Sequence, residues 1–267
     1  MTSALLGKRV VNTRALHQAG ELDRLLRERG ATPVSYPCLA IVPPLDPAPL
    51  DEALCELVSG RFDWLALTSA NAVRAIAERL EARHLRLPAE TGFATAAIGR
   101  TTARAAESAL GLRQIVVSPE GRGEALARAI PASSGSRVLW PVSDLAKPEA
   151  ADLIRRRAAV TIVTAYRTVI GTGGVDLPHL LRSRRVDAVA FASPSAVDGF
   201  VARLDTDGGD LADVECVAVA CLGPSTQEAA LSRGFAQSRT SLSPTLPALI
   251  ETLEVALRPP AGGAPSW

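Results

Sequence analysis

The sequence predicts an α/β fold of two similar halves, each built on a parallel β-sheet. Short apolar runs alternate with segments of helical periodicity, which is typical of βα units that place helices on both faces of a sheet. One stretch also occurs twice, since Ser69 and Gly99 recur as Ser193 and Gly223, each 124 residues later. At 267 residues the chain is long enough to form two domains with separate cores.

In the first half of the chain, the residue pattern predicts a regular succession of strands and helices. Residues 8–13 form an apolar strand, and the apolar spacing after it predicts a helix that ends at Gly30. A second extended run covers residues 33–42 and precedes a proline-rich loop. Further strands are predicted at 62–67, 94–98, 114–117, 137–140 and 160–169, with helices at 51–59, 69–83, 101–110, 123–130 and 147–157. Gly111 is expected to close one helix in a left-handed conformation.

The second half repeats this order after a glycine-rich breaker at residues 171–174. Strands are predicted at 186–191 and 216–222, with helices at 194–204, 225–234 and 246–257. Residues 258–267 contain three prolines and two glycines, so a frayed tail is expected there. The second half lacks a strand–helix unit that the first half has in its own sequence.

The absence of a strand–helix unit from the second half indicates how the chain is divided into domains. The N-terminal strand and helix, residues 8–30, are expected to pack with the C-terminal half. The extended runs at 33–42 and 160–169 are then expected to cross between the domains. The expected boundaries give a discontinuous domain of residues 1–37 and 168–267 and an inserted domain of residues 38–167.

Composition argues against several classes of protein. The longest apolar runs are too short to cross a bilayer and the N-terminus lacks a secretory signal, so a cytoplasmic protein is expected. A net charge of +1 argues against broad nucleic-acid binding. Scattered histidines and cysteines without Cys-x-x-Cys spacing predict no metal site, and the cysteines are expected to be buried apolar residues. No glycine-rich nucleotide-binding motif is present, so no cofactor is expected.

The repeated motifs predict an anion-binding site. Ser69 and Ser193 follow strands and begin helices, as do the loops that start at Gly99 and Gly223. In open parallel sheets ligands bind at the carboxyl ends of the strands, where hydroxyl and backbone N–H groups suit carboxylate or phosphate. The alternative is that these hydroxyls only cap their helices. Two such loops in each half favour an anion-lined cleft between the domains.

Three arginines and one tyrosine are further candidates. Arg14 follows the first strand, Arg100 lies in a glycine loop, and Arg167 is next to Tyr166 in the second crossing run. Arginine at a loop position can bind a carboxylate through two parallel hydrogen bonds. The alternatives are solvated surface arginines and a tyrosine that only packs in the core.

Six short motifs give the chain a family resemblance. They are Asn-Thr-Arg at 12–14, Thr-Ser-Ala-Asn-Ala-Val at 68–73, Ile-Gly-Arg-Thr-Thr-Ala at 98–103, Tyr-Arg-Thr at 166–168, Ser-Pro-Ser-Ala-Val at 193–197 and Leu-Gly-Pro-Ser-Thr at 222–226. In this order and spacing they resemble the uroporphyrinogen-III synthase family from Arg9 to about Leu257. Two departures are Ala15, where a proline is expected, and residues 140–144, which replace a loop containing arginine and glycine.

The resemblance implies two flavodoxin-like domains with parallel sheets, joined by a two-stranded linker, with both chain ends in one domain. It also implies a cofactor-free lyase that cyclises the linear tetrapyrrole hydroxymethylbilane to uroporphyrinogen III, with inversion of ring D and loss of water. The enzyme is expected to be a monomer that binds this small molecule, with no nucleic-acid or membrane partner. The alternative is a two-domain small-molecule binding or sensor protein without catalysis.

The resemblance also assigns roles to individual residues. Tyr166 is expected to assist loss of the hydroxymethyl oxygen. Ser69, Thr102, Ser193 and Thr226 are expected to bind acetate and propionate groups of the substrate. With the loop candidates added, the predicted substrate-binding set is Arg14, Ser69, Arg100, Thr102, Arg167, Ser193, Ser225 and Thr226.

Overall fold

The computed structural model describes residues 3–88, 90–118, 120 and 122–258, so the expected tail at 258–267 lies, apart from Arg258, outside the described residues. The chain divides into two compact units. The terminal unit consists of the described parts of Met1–Ala40 and Val169–Trp267, and the inserted unit consists of those of Ile41–Thr168. Within these described ranges, no helix is both long enough and apolar enough to cross a membrane.

Strands and helices alternate along the chain. The strands are β1 (Arg9–Asn12), β2 (Thr32–Ser35), β3 (Leu39–Val42), β4 (Trp64–Leu67), β5 (Ala94–Ala97), β6 (Val116–Val117), β7 (Arg137–Ser143), β8 (Ala159–Ile170), β9 (Ala188–Phe191), β10 (Ala218–Cys221) and β11 (Arg239–Thr240). The helices are α1 (Leu16–Glu28), α2 (Ala48–Val58), α3 (Ala70–Ala82), α4 (Arg100–Leu110), α5 (Gly123–Ala129), α6 (Glu149–Arg155), α7 (Leu177–Arg182), α8 (Pro194–Thr206), α9 (Pro224–Ser232) and α10 (Leu246–Ala256). A 3-10 helix spans Leu211–Val214.

The terminal unit contains a parallel sheet with the strand order β11-β10-β9-β1-β2. β1 pairs with β2 on one side and with β9 on the other, so Val11 lies opposite both Val34 and Val189. The predicted packing of the N-terminal strand and helix with the C-terminal half is therefore confirmed. Short apolar strands buried on both faces are typical of such parallel sheets.

Helices cover both faces of the terminal sheet. On one face, Phe191 packs edge-on against Phe200 of α8, with ring centroids 5.3 Å apart. On the other face, Leu22 of α1 and Leu253 of α10 pack against the strands. Each fully buried side chain of this size stabilises the fold by about 1.5–3 kcal/mol relative to exposure.

A buried arginine fixes the loops next to the crossing strands. Arg203 of α8 is 5% exposed, and its guanidinium donates to the backbone carbonyls of Pro37 and Gly173. The guanidinium carbon lies 3.9 Å from the centre of the Tyr36 ring. Asp207 pairs with Arg203 and accepts a hydrogen bond from the Tyr36 hydroxyl at 2.8 Å. The Asp207 carboxylate thus balances the charge of the buried Arg203 guanidinium within the terminal unit.

The inserted unit contains a sheet with the strand order β3-β8-β7-β4-β5-β6. The pairings of β7 with β8, β4 with β7, β4 with β5 and β5 with β6 are parallel. Leu54 of α2 and Ile76 of α3 pack on one face, and Leu126 of α5 and Ile154 of α6 pack on the other. The chain passes between the units twice, once within β3 and once within β8.

The predicted elements differ from the structure at several points. The extended run at 33–42 forms two strands in different sheets, and residues 36–38 between them belong to neither strand. β7 continues beyond the predicted end to Ser143. The short α7 and the two-residue β11 were not predicted. Gly111 closes α4 with a φ of +67°, as predicted.

The prediction that all four cysteines are buried is half wrong. Cys38 and Cys221 are buried, and burial raises the pKa of both thiols, that of Cys221 to about 12. Cys55 and Cys216 are exposed. Cys55 occupies the outer face of α2, which shows that an isolated cysteine follows the face of its helix rather than a general preference for burial.

Candidate functional site

Both copies of the repeated stretch begin helices at the carboxyl ends of strands. Ser69 and Ser193 are the N-cap residues of α3 and α8, with φ and ψ of −163° and 157° in the first copy and −160° and 158° in the second. Gly99 and Gly223 occupy the same position before α4 and α9, also in extended backbone. The copies therefore place the same residue types at the same point of a βα unit.

The two serines cap their helices. Ser69 Oγ accepts a hydrogen bond from the Ala72 N–H at 3.0 Å, and Ser193 Oγ accepts one from the Ala196 N–H at 3.2 Å. Such a bond satisfies a helix donor that has no partner within the helix and stabilises the fold by about 1 kcal/mol. Both serines therefore cap their helices. A capping hydroxyl can still form a second hydrogen bond.

The second partner of the capping serine differs between the copies. In the first copy the Tyr166 hydroxyl lies 3.1 Å from Ser69 Oγ, while the tyrosine ring is buried in the core of the inserted unit. In the second copy Ser193 Oγ lies 3.1 Å from Ser195 Oγ. Tyr166 and Ser69, hereafter the hydroxyl pair, are the two predicted site residues that the structure brings into direct contact.

A β-bulge determines the direction of the Tyr166 side chain. Val142 of β7 pairs with Thr164 of β8, and the next residue, Ser143, pairs with Tyr166. Ala165 is therefore an extra residue in β8. A bulge of this kind re-aims the side chains that follow it, and bulges are frequent next to active sites.

The predicted residues in the first turns of α4 and α9 differ in accessibility. Thr102 and Thr226 are buried, with 5% and 3% of their surface exposed, whereas Arg100 and Ser225 are exposed. Unpaired N–H groups and the helix dipole favour anions at a helix N-terminus. Arg100 and Ser225 are therefore the predicted residues of these turns whose side chains solvent reaches.

Arg14 and Arg167 are each tied to a nearby backbone carbonyl. Arg14 Nε donates to the Gln18 carbonyl at 3.0 Å, and Arg167 Nε donates to the Pro43 carbonyl at 3.3 Å. Burial lowers the pKa of Arg14, and the Glu21 carboxylate partly offsets this effect. A guanidinium stays protonated at neutral pH, so the lowered pKa leaves Arg14 a cation.

The predicted residues of each unit lie at one edge of its sheet. In the inserted unit β4 and β5 are neighbours, so the loops of Ser69 and Arg100 are adjacent. In the terminal unit β1, β9 and β10 are consecutive strands, so the loops of Arg14, Ser193 and Ser225 are adjacent. Each unit therefore presents hydroxyl and guanidinium groups at its carboxyl edge.

Residues around Tyr166 that were not predicted include Asn71 and Arg74, which line a cavity of about 80 Å³ beside it. Asn71 could have been found, because it belongs to the first repeated motif. A larger cavity of about 580 Å³, next to Phe235 in the terminal unit, contains none of the predicted residues. Among the described residues, no cluster of three or more His, Cys, Asp or Glu side chains could hold a metal ion.

Comparison with known sequences decides the family. A family model described as uroporphyrinogen-III synthase HemD matches residues 20–251. The chain belongs to the uroporphyrinogen-III synthase family. The uroporphyrinogen-III synthase of Synechococcus elongatus is 31% identical over 228 residues, which cover 83% of this chain and 85% of the relative. The chloroplastic uroporphyrinogen-III synthase of Oryza sativa subsp. japonica is 26% identical over 260 residues, or 93% and 80% of the two chains.

Solved structures of uroporphyrinogen-III synthases share the fold. A mutant enzyme from the extremely thermophilic bacterium Thermus thermophilus has a TM-score of 0.60 at 19% identity, covering 94% of this chain and 99% of the other. The enzyme from Helicobacter pylori 26695 has a TM-score of 0.56 at 14% identity, covering 95% and 100%. The predicted two-domain α/β fold is confirmed. The predictions of an enzyme of tetrapyrrole biosynthesis and of its lyase class are confirmed by the family and its members.

Proposed function

We propose that this chain converts hydroxymethylbilane to uroporphyrinogen III, closing the ring with inversion of ring D and loss of water. The observation that carries the proposal is the hydroxyl pair, in which the Tyr166 hydroxyl lies 3.1 Å from Ser69 Oγ. The pair lies at the edge of a parallel sheet where ligands of such folds bind. A phenol hydroxyl held in a defined direction suits a reaction whose leaving group needs one proton.

In the proposed reaction Tyr166 donates that proton. The electron pair of the nitrogen in the pyrrole that carries the hydroxymethyl group moves into the ring as the C–O bond breaks. The oxygen takes the proton from Tyr166 and leaves as water. The substituted carbon of ring D attacks the resulting azafulvene and forms a spiro intermediate. This intermediate opens and recloses with ring D inverted, and the proton then released restores the phenol. General acid assistance of this kind contributes about 10²–10⁴-fold to a rate.

Ser69 holds the proton donor in place. Its oxygen is already oriented by the Ala72 N–H, so the phenol meets an acceptor or donor in a fixed position. Ring inversion requires a flexible tetrapyrrole to be kept in one folded conformation. Positioning of this kind lowers the barrier mainly by removing conformational freedom before the reaction.

The proposed ligands for the eight substrate carboxylates are the remaining predicted residues at the two sheet edges. Arginines grip carboxylates with two parallel bonds, while serine hydroxyls and helix N-termini bind them singly. The buried Thr102 and Thr226 are proposed to pack within the first turns of α4 and α9 and to support the exposed ligands. The proposed direct ligands are Arg14, Arg100, Arg167, Ser193 and Ser225.

The test is incubation of the purified protein with freshly generated hydroxymethylbilane, followed by chromatographic separation of the uroporphyrinogen isomers. The expected product is isomer III, whereas the spontaneous reaction gives the non-inverted isomer. Tyr166→Phe is expected to lower the yield of isomer III, and Tyr36→Phe, which alters the other tyrosine, is the matched control. Binding of the substrate without any isomer III would instead favour a sensor protein.

We further propose that the enzyme acts as a cytoplasmic monomer without a cofactor, a nucleic-acid partner or a membrane. The net charge of +1 gives no broad attraction for nucleic acid. Light scattering on the purified protein is expected to give the mass of one chain. Activity is expected to survive dialysis against a chelator, and its loss there would contradict the cofactor-free mechanism.

A further inference from the structure

The end of β7 forms hydrogen bonds next to both members of the hydroxyl pair. Thr68, the residue before Ser69, donates its hydroxyl to the Pro141 carbonyl at 3.3 Å. The Asp144 N–H donates to the Tyr166 carbonyl at 3.1 Å. One short segment, residues 141–144, therefore connects the loop that presents the serine with the strand that presents the tyrosine.

Asp144 also holds β8 beyond Tyr166 with its side chain. Its Oδ1 atom accepts a hydrogen bond from the Thr168 N–H at 3.0 Å and one from the Ser143 hydroxyl at 3.1 Å. A bulge disrupts the regular ladder locally, and beyond this one the Thr168 N–H donates to a side chain. The Asp144 carboxylate therefore joins the end of β7 to β8 two residues beyond Tyr166.

The bulge decides which face of β8 carries Tyr166. Val163 and Ala165 are buried and Thr164 is exposed, as strict alternation requires. Continued alternation would place Tyr166 on the same face as Thr164. Instead it is buried in the core cluster that also contains Val73 of α3, on the side where the capping serine begins that helix.

We propose that Asp144 is a positioning residue that holds the β8 bulge and thereby aims the Tyr166 hydroxyl at Ser69. This inference rests on the proposed function, because the positioned group is the proposed proton donor. The Asp144 side chain acts through the backbone N–H of Thr168, two residues beyond Tyr166, and not on the substrate. Its carboxylate oxygen serves as a hydrogen-bond acceptor, so an amide oxygen at the same position can replace it.

The enzymatic test compares Asp144→Ala with Asp144→Asn. Asp144→Ala is expected to lower kcat for isomer III on the order of tenfold, because small displacements of a catalytic group lower the rate steeply. Its KM is expected to stay within about twofold, since the neighbouring Arg167 keeps its own hydrogen bond to the Pro43 carbonyl. Asp144→Asn is expected to keep nearly full activity. Asp152→Ala removes another exposed carboxylate of the inserted unit, paired with Arg155 at 2.8 Å, and is the matched control.

A second measurement reads the position of Tyr166 without any reaction. The chain has two tyrosines, so labelling with carbon-13 tyrosine gives two sets of ring signals, assigned by Tyr166→Phe. Asp144→Ala is expected to shift or broaden the Tyr166 signals and to leave those of Tyr36 unchanged. Asp144→Asn and Asp152→Ala are expected to change neither. Asp144→Ser, whose hydroxyl is too short for the same bond, replaces the alanine variant if that protein does not fold.

Unchanged Tyr166 signals in folded Asp144→Ala would overturn the positioning role. Loss of activity in Asp144→Asn equal to that in Asp144→Ala would overturn the acceptor role. Shifted Tyr166 signals with unchanged products would support positioning by Asp144 and contradict the proton-donor role of Tyr166. The two measurements therefore separate failure of this inference from failure of the proposed function.

Discussion

Tyr36 and Tyr166, the two tyrosines of the chain, are both buried, but their hydroxyl groups have different partners. Tyr36 donates to the Asp207 carboxylate at 2.8 Å, and its ring lies under the Arg203 guanidinium. Tyr166 shares a hydrogen bond of 3.1 Å with the hydroxyl of Ser69. A carboxylate can only accept, so the Tyr36 hydroxyl must donate its proton to Asp207. The Ser69 hydroxyl can either accept a hydrogen bond from Tyr166 or donate one to it.

Electrostatics strengthen this difference. Burial raises the pKa of Tyr36 far above its usual range, and the hydrogen bond to Asp207 raises it further. A phenol in such surroundings is a structural group, because releasing its proton would place a second negative charge beside a carboxylate. The comparison teaches that burial alone does not separate a structural tyrosine from a candidate catalytic one, whereas the charge of the hydroxyl's partner does.

The structural side of the comparison is tested most strongly by Arg203→Ala. We expect a loss of about 3 kcal/mol in the free energy of unfolding, because the backbone carbonyls of Pro37 and Gly173 lose a charged donor and Tyr36 loses its cation contact. Urea denaturation measures this loss. The exposed Arg155→Ala is the control and is expected to change stability by less than about 1 kcal/mol. An unchanged midpoint for Arg203→Ala would mean that the cluster does not stabilise the terminal unit.

Removing each phenolic oxygen is expected to separate stability from activity. Tyr36→Phe is expected to cost about 1.5 kcal/mol, since a hydrogen bond to a charged group is lost, and to leave isomer III as the product. Tyr166→Phe is expected to cost less than about 1 kcal/mol, since its partner is neutral, and to reduce isomer III. Urea midpoints and product chromatography measure the two effects. Equal midpoints combined with equal product ratios would remove the distinction between the tyrosines.

Alkaline pH sharpens the comparison further. The raised folded-state pKa of Tyr36 means that the unfolded chain releases this proton first, so stability is fully present below the unfolded pKa of about 10 and falls above it. Tyr36→Phe lacks this titration. The stability gap between wild type and Tyr36→Phe is therefore expected to narrow by about 1 kcal/mol between about pH 9 and about pH 11. A stability gap that stays constant across that pH range would contradict a raised pKa of Tyr36 in the folded protein.

The smallest expected difference lies between the two capping serines. Ser69→Ala and Ser193→Ala are each expected to cost about 1 kcal/mol, because each removes one helix cap of the same geometry. Only Ser69→Ala is expected to shift the carbon-13 ring signals of Tyr166. Signals that move equally in both variants would show that the hydroxyl pair is not a direct contact.

Much of the fold could be predicted because its signals are local. The alternation of strands and helices and the left-handed Gly111 are each encoded within a few residues. The missed α7 has six residues and β11 has two, which is too short to leave a periodic pattern. The bulge at Ala165 depends on register against β7, and no run of residues in β8 records a pairing with another strand.

The site was less predictable because its contacts are tertiary. The repeat identified both capping serines, yet the contact of Tyr166 with Ser69 joins residues that are 97 positions apart. Arg203 was not singled out, because a charged residue on a helix normally marks a solvated face. Its role depends on carbonyls exposed by two loops that only the fold brings together. The substrate-binding roles of the arginines and serines remain predictions.

The position of β1 between β2 and β9 affects how the protein is made. Val10 pairs with Pro33, which follows it closely in the chain, but its other partner, Ala188, is synthesised 178 residues later. The inserted unit ends at Thr168, whereas β11 of the terminal unit begins only at Arg239. At about 5–20 residues per second, the terminal unit stays incomplete for on the order of ten seconds longer. During that time the nascent chain carries an open apolar strand edge, which is the part most in need of a chaperone.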